Sequence, residues 1–214
     1  MKLKHLLESQ FPTSKEEVEE VLKKQYIANC IINDDLTVDV NGDVNLRKRL
    51  EMIPVKFGKV SGDFDCSFID LVSLEGAPRE VGGDFWCHNN QLTSLKGSPR
   101  EVGGDFWCNN NKLVSLEGAP REVGGDFNCA DNQLTSLERG PREVSGNFWC
   151  NNNKLTSLKG APREVGGDFN CAHNKLTSLE GAPQEVDGDF YCDHNQLTTL
   201  AGIGRVAGQI YSDI

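Results

Sequence analysis

The stretch VGGDFWCHNNQLTSLKGSPRE occupies residues 81–101, and VGGDFWCNNNKLVSLEGAPRE follows it directly at residues 102–122. Units of this kind share the pattern V-x-G-[DN]-F-x-C-x-x-N-x-L-x-x-L, with Ile69 at the Asn position of the first unit. A period of 21 residues is too short for a helical hairpin. The length of the chain alone would suggest one or two ordinary domains, but the internal repeat indicates a repeat protein instead. The seven clear units begin at Val60, Val81, Val102, Val123, Val144, Val165 and Val186.

The repeat resembles the leucine-rich repeat. Its segment F-x-C-x-x-N-x-L is similar to the L-x-L-x-x-N-x-L core of that family, with Phe and Cys at the first two leucine positions. The order N-Q-L-T-S-L, then P-x-x-V, resembles the short repeats of bacterial secretion effectors and of small tailed-bacteriophage proteins. The resemblance covers residues 40–212. It implies a β-rich solenoid. Its core would be a leucine-rich-repeat parallel sheet of about nine short strands, and a small α/β cap would precede it at the N-terminus.

The alternation of side chains along a strand predicts an interior and an outer face. Phe and Cys lie two residues apart, so both point inward, while the residues around them point outward. Leu92 and Leu95, with their counterparts in other units, are expected to close the core. We predict stacked phenylalanines at Phe64, Phe85, Phe106, Phe127, Phe148, Phe169 and Phe190. A column of asparagines is expected to bond backbone groups where the chain leaves the sheet, at Asn90, Asn111, Asn132, Asn153, Asn174 and Asn195.

Seven of the eight cysteines recur every 21 residues. Neighbouring cysteines would stand about 4.8 Å apart on parallel strands. Their parallel Cα–Cβ bonds disfavour disulfides, and ligands in a straight column do not converge on a zinc ion. We therefore expect small apolar core fillers and no metal or cofactor.

The two ends differ from the repeats. Ser14 and Glu17 have the spacing of a capping box, which predicts a helix over residues 15–25. Strands are expected at 27–32 and 36–40, and residues 1–39 are interpreted as an N-terminal cap. The solenoid is expected over 40–214, with clear repeats at 60–206 and degenerate units VNGDVNL (40–46) and VAGQIYS (206–212). An uncovered last strand would favour association of two copies through this C-terminal edge.

The outer face combines acidic and aromatic columns. Four outward columns hold nine acidic residues and no lysine or arginine, and all three tryptophans lie in one of them. The aspartates are expected either to bond locally to the glycine-rich turn before them or to face a partner. Repeated Arg-Glu pairs, such as Arg79 and Glu80, are interpreted as a solvated flank. The predicted partner-binding residues are Trp86, Trp107, Trp149, Tyr191, Asp63, Asp84, Asp105, Asp126, Asp168 and Asp189.

Composition and motifs exclude several classes of function. A net charge of −10 disfavours direct nucleic-acid binding. No secretory signal or membrane-length apolar stretch is evident, so we expect a cytoplasmic protein. No hydrolase, P-loop or zinc-protease motif occurs, and we expect no catalysis. His173 and His194 are expected to be neighbours with Asp193 close by, and we interpret them as a chance pair because a third convergent ligand is not evident.

The sequence thus predicts a non-catalytic protein–protein interaction module. It would bind a basic protein partner through an acidic, Trp-lined concave sheet face, and the phage resemblance implies a factor that acts on a host protein. Two alternatives stay open: a nucleic-acid mimic that inhibits a DNA- or RNA-binding protein, and a structural component of an assembly.

Overall fold

A computed structural model describes residues 11–47 and 49–214 as a solenoid with two sheets. The first ten residues of the predicted cap, including His5, lie outside the described residues. One sheet, called the Phe sheet, has nine parallel strands in register, so each phenylalanine lies beside that of the next turn. This confirms the predicted β-solenoid and its strands. They are Val44–Asn45, Phe64–Asp65, Phe85–Trp86, Phe106–Trp107, Phe127–Asn128, Phe148–Trp149, Phe169–Asn170, Phe190–Tyr191 and Ile210–Tyr211.

A second sheet, called the Glu sheet, has ten strands and was not predicted beyond its first two members. The first two strands are antiparallel and agree with the strands expected at 27–32 and 36–40, whereas all later pairs are parallel. In the six strands that hold a Glu-Val pair, the glutamate points outward and the valine inward. The strands are Cys30–Ile32, Val38–Val40, Phe57–Val60, Glu80–Val81, Glu101–Val102, Glu122–Val123, Glu143–Val144, Glu164–Val165, Glu185–Val186 and Arg205–Val206.

The single helix of the described chain spans Lys15–Gln25, as predicted. The Ser14 hydroxyl accepts a hydrogen bond from the Glu17 N–H, while the Glu17 carboxylate accepts one from the Thr13 N–H at 2.7 Å. The cap is therefore a capping box whose return bond lies one residue earlier than the usual form. Among the described residues no helix is long and apolar enough to span a bilayer.

Each turn buries a fixed set of side chains between the two sheets. In one turn Val81, Phe85, Cys87, Leu92 and Leu95 are at most 3% exposed. The seven phenylalanine rings stack along the solenoid with centroids 5.2–5.6 Å apart. Burial of each ring stabilises the fold by about 1.5–3 kcal/mol. The predicted phenylalanine spine and leucine closure are therefore confirmed.

The asparagine column ties adjacent turns together. The Asn132 amide donates to the carbonyls of Cys108 and Cys129, both at 3.1 Å, and its Oδ1 accepts from the Leu113 N–H at 3.0 Å. The same pattern recurs at Asn90 and Asn153. Buried backbone groups that would otherwise lack partners are satisfied in this way, which confirms the predicted structural role.

The glycine before each aspartate allows a close approach between turns. A Cβ placed on Gly83 would overlap the Oδ1 of Asp63 in the preceding turn. The residue before this glycine varies, since Ser61 and Ser145 occupy it in two units. The second glycine is therefore required by the carboxylate that packs against it, whereas a Cβ on the first, such as Gly82, would meet the backbone carbonyl of Ser61.

Candidate functional site

The outward side of the Phe sheet combines the predicted partner-binding residues, and we call this surface the Trp face. It consists of the Asp column, the neighbouring column that contains the tryptophans, and the flanking residues Phe68, His88 and Asn109. The parallel register brings Trp86 beside Trp107 and Tyr191 beside Tyr211. Trp149 lies between Asn128 and Asn170, apart from the other two indoles.

The tryptophans are half-buried, whereas the phenylalanines behind them are completely buried. The predicted inside–outside division of the strand therefore holds. The tryptophans nevertheless are less exposed than expected. Trp86 and Trp107 pack on each other along the face, whereas Trp149 is half-buried without a neighbouring indole. The Trp86 and Trp107 ring centroids lie 6.3 Å apart.

Two further rings extend this aromatic cluster. His88 packs edge-on against Trp107 with ring centroids 5.7 Å apart, and Phe68 packs against His88 at 5.2 Å. Phe68 is 71% exposed, so the cluster presents a large apolar ring at the surface. Burial lowers the pKa of His88, although the nearby Asp65 opposes this shift, and a neutral imidazole is favoured near neutral pH.

The same cluster contains buried polar atoms without hydrogen-bond partners. Among the described residues these are Nε1 of Trp86, Nδ1 of His88, Nε1 of Trp107 and Oδ1 of Asn109. A buried unpaired polar group costs about 1–3 kcal/mol. Buried polar groups in native proteins have a hydrogen-bond partner in most cases, so atoms that can still accept or donate a bond make this part of the Trp face a candidate binding site.

The tryptophan position is filled differently in other turns. Asp65, Asn128 and Asn170 occupy it there, and the Oδ1 of each accepts a hydrogen bond from the N–H two residues later, at 2.9–3.1 Å. These Asx turns satisfy the local backbone. A tryptophan cannot make this bond, so the indoles are not what the fold requires at this position.

The Asp column has a structural role that differs from the local bond expected. The Oδ1 of Asp84 accepts from the N–H of Asp105, and the Oδ1 of Asp105 accepts from the N–H of Asp126, at 2.7 and 2.8 Å. Each bond thus reaches the same position in the next turn and not the glycines of its own turn. Asn147 replaces an aspartate and makes the same bond to the Asp168 N–H at 2.7 Å.

The second oxygen of most aspartates stays open to a partner. Asp189 is an exception, since its Oδ2 accepts from the Tyr191 hydroxyl at 3.2 Å. Burial raises the pKa of Asp105; the hydrogen bond from the Asp126 N–H opposes this rise, and the adjacent Asp126 and Asp84 carboxylates add to it. Within the described chain no lysine or arginine forms an ion pair with this column. The Trp face therefore carries negative charge that its own residues do not neutralise.

The Glu sheet offers a second surface, which sequence reasoning interpreted only as a flank. An open groove of about 800 Å³ runs beside its glutamates and is lined by Val81, Val102 and Val123 among others. Lys59 and Arg205 pair with the glutamates at the two ends of the column. In five turns an arginine directly precedes the glutamate and supplies further positive charge on this surface. Because its charges are balanced, this surface is a weaker candidate than the Trp face.

A third group lies where the last two complete turns leave the Phe sheet. His173, Asp193 and His194 place one ligand atom each within 4.8 Å of one another. Asp193, which the sequence placed near the two histidines without indicating convergence, is thus the third convergent group.

Comparison of the chain with protein-family models, with curated proteins and with solved structures finds no match.

Proposed function

We propose that the chain is a non-catalytic protein-binding module whose Trp face contacts a basic segment of a partner protein. The observation that carries this proposal is the replacement of Asx turns by tryptophan. Three turns show that Asp or Asn satisfies the backbone at this position. Three others give up that bond for an indole, and a residue that departs from local preference without a structural gain indicates a function.

The chemistry of the face favours a cationic, extended partner. Tryptophan is enriched among the residues that dominate binding energy, and its ring attracts arginine and lysine by cation–π interaction. The free carboxylate oxygens of Asp84 and Asp105 lie one column away from the indoles and can accept hydrogen bonds from the same cations. Unneutralised negative charge would also accelerate the encounter with a basic partner.

The proposal also includes the origin of the partner and the compartment in which the chain acts. The resemblance to leucine-rich repeats of phage proteins supports a host protein as the partner. Cysteines that fill the core as free thiols support action in the reducing cytoplasm.

A capture experiment with matched variants tests the proposal. Full-length chain is compared with W86N/W107N/W149N, in which each substitution introduces the residue that other turns hold at that position. The control is E101Q/E122Q/E143Q, which makes three substitutions on the exposed side of the Glu sheet. Captured proteins are identified by mass spectrometry, and their binding is then measured with purified components.

We expect the tryptophan variant to lose the partner and the glutamate variant to retain it. Retention by the tryptophan variant with loss by the glutamate variant would move the site to the Glu sheet and contradict the proposal. Release of the partner by competing duplex DNA would support the alternative of nucleic-acid mimicry. Self-association through the strand Ile210–Tyr211 stays a prediction.

A further inference from the structure

We propose that His173, Asp193 and His194 form a binding site for a zinc-class divalent cation. The site lies on two adjacent turns, since His173 belongs to one and the other two residues to the next. It is the one group of three potential metal-ligating side chains with converging atoms among the described residues. This inference does not depend on the proposed protein partner.

The backbone of two successive turns places the two histidine side chains next to each other. His173 and His194 occupy the same position of successive turns with φ of 53° each, in the left-handed region. Their imidazole rings stack with centroids 4.1 Å apart and an interplanar angle of 20°. The His173 N–H donates to the Asp193 carbonyl at 3.0 Å, which fixes the register of the two turns at this point.

The carboxylate is placed against the second imidazole. The Asp193 Oδ2 lies 2.6 Å from the His194 Nδ1. A further carboxylate, that of Asp213, accepts a hydrogen bond from the His194 N–H at 2.5 Å and adds negative charge beside the site. Two imidazoles with two adjacent carboxylates form an environment that favours a cation.

The donor set selects the class of metal. Imidazole nitrogen with one carboxylate oxygen suits Zn²⁺, Ni²⁺ or Cu²⁺, whereas Mg²⁺ and Ca²⁺ prefer oxygen ligands. Metal–ligand bonds of about 2.0–2.2 Å require donor atoms closer together than 4.8 Å, so the two exposed histidines and the half-buried Asp193 would draw together on binding. The remaining coordination positions would be taken by water.

The repeat supplies matched non-ligating replacements for every ligand. Asn152 occupies the position of the two histidines, and Asn151 occupies that of Asp193. The variants H173N, H194N and D193N therefore introduce residues that this fold already uses at these positions. H88N is the control, because His88 lies on the Trp face away from this group and Asn109 takes its position in the next turn.

The proposal is tested by titration of the full chain with Zn²⁺ alone. Calorimetry measures the binding, and the imidazole resonances in NMR spectra show which histidines take part. We expect saturable binding of one ion that shifts the resonances of His173 and His194 but not that of His88. Each ligand variant should weaken binding by at least about tenfold, and H88N should not. Absence of saturable binding, equal binding by the ligand variants, or equal binding of Mg²⁺ would overturn the proposal.

Discussion

Replacement of Asp105 tests the hydrogen-bond ladder that joins successive turns. The Oδ1 of Asp105 accepts from the Asp126 N–H at 2.8 Å, while its own N–H donates to Asp84. D105A leaves the Asp126 N–H unpaired, and we expect a loss of about 1–3 kcal/mol in the free energy of unfolding. D105N keeps the acceptor oxygen, as Asn147 does in the native chain.

The pH dependence separates charge from hydrogen bonding. Burial and the neighbouring carboxylates raise the pKa of Asp105 by more than the hydrogen bond from the Asp126 N–H lowers it, so the folded state binds its proton more readily than the unfolded state. Ionisation of Asp105 therefore lowers stability as the pH rises through the folded-state pKa. D105N removes this effect and should be more stable than the unmodified chain at pH 7 by about 0.2–1 kcal/mol, the usual scale for like charges on paired strands. The difference should disappear near pH 3, where the carboxylate is protonated.

Urea unfolding followed by circular dichroism at both pH values measures these differences. The reverse variant N147D is the control, because it adds a carboxylate to the one turn of the column that lacks it. We expect N147D to be less stable than the unmodified chain at pH 7 and equal to it near pH 3. A D105A variant as stable as the unmodified chain, or a D105N variant as unstable as D105A, would refute the ladder.

Three further substitutions or reactions probe the core and the face. G104A should destabilise the chain by about 1–3 kcal/mol in urea unfolding, because its Cβ would overlap the Asp84 carboxylate; an unchanged free energy of unfolding would contradict this close approach. In the native chain a thiol reagent that releases a chromophore should react rapidly only with Cys30, because the other cysteines are buried; rapid reaction of several thiols would contradict the core. Burial lowers the pKa of His88, so protonation should reduce stability as the pH falls below about 6.5, and H88N should remove this part of the dependence; an unchanged pH profile would contradict it.

Much of the fold could be predicted because its determinants are local. The 21-residue spacing of Phe and Cys, together with strand alternation, identified the core residues, and Ser14 with Glu17 identified the helix. The Glu sheet was not predicted because a single inward residue, such as Val102, marks each of its repeat strands, whereas Phe and Cys mark each turn of the Phe sheet with two inward residues two positions apart. The regular recurrence of a glutamate before a β-branched valine was the available signal.

The candidate site could be located from the sequence but not described in detail. The column of tryptophans was evident, whereas the packing of Trp86 on Trp107 depends on rotamers across two turns. The aspartate bonds join residues 21 positions apart, so their partners follow from the register between turns and not from neighbouring residues. The approach of Asp193 to His194 is likewise a matter of side-chain orientation.

The central claim is that a partner protein binds against the tryptophans, and fluorine NMR tests it most directly. All three tryptophans lie on the Trp face, so a chain labelled with 5-fluorotryptophan reports on that surface alone. Resonances are assigned with the single variants W86N, W107N and W149N, and unlabelled captured partner is then added. We expect the Trp86 and Trp107 resonances to shift or broaden on binding. A complex that forms while all three resonances keep their positions and widths would contradict the claim.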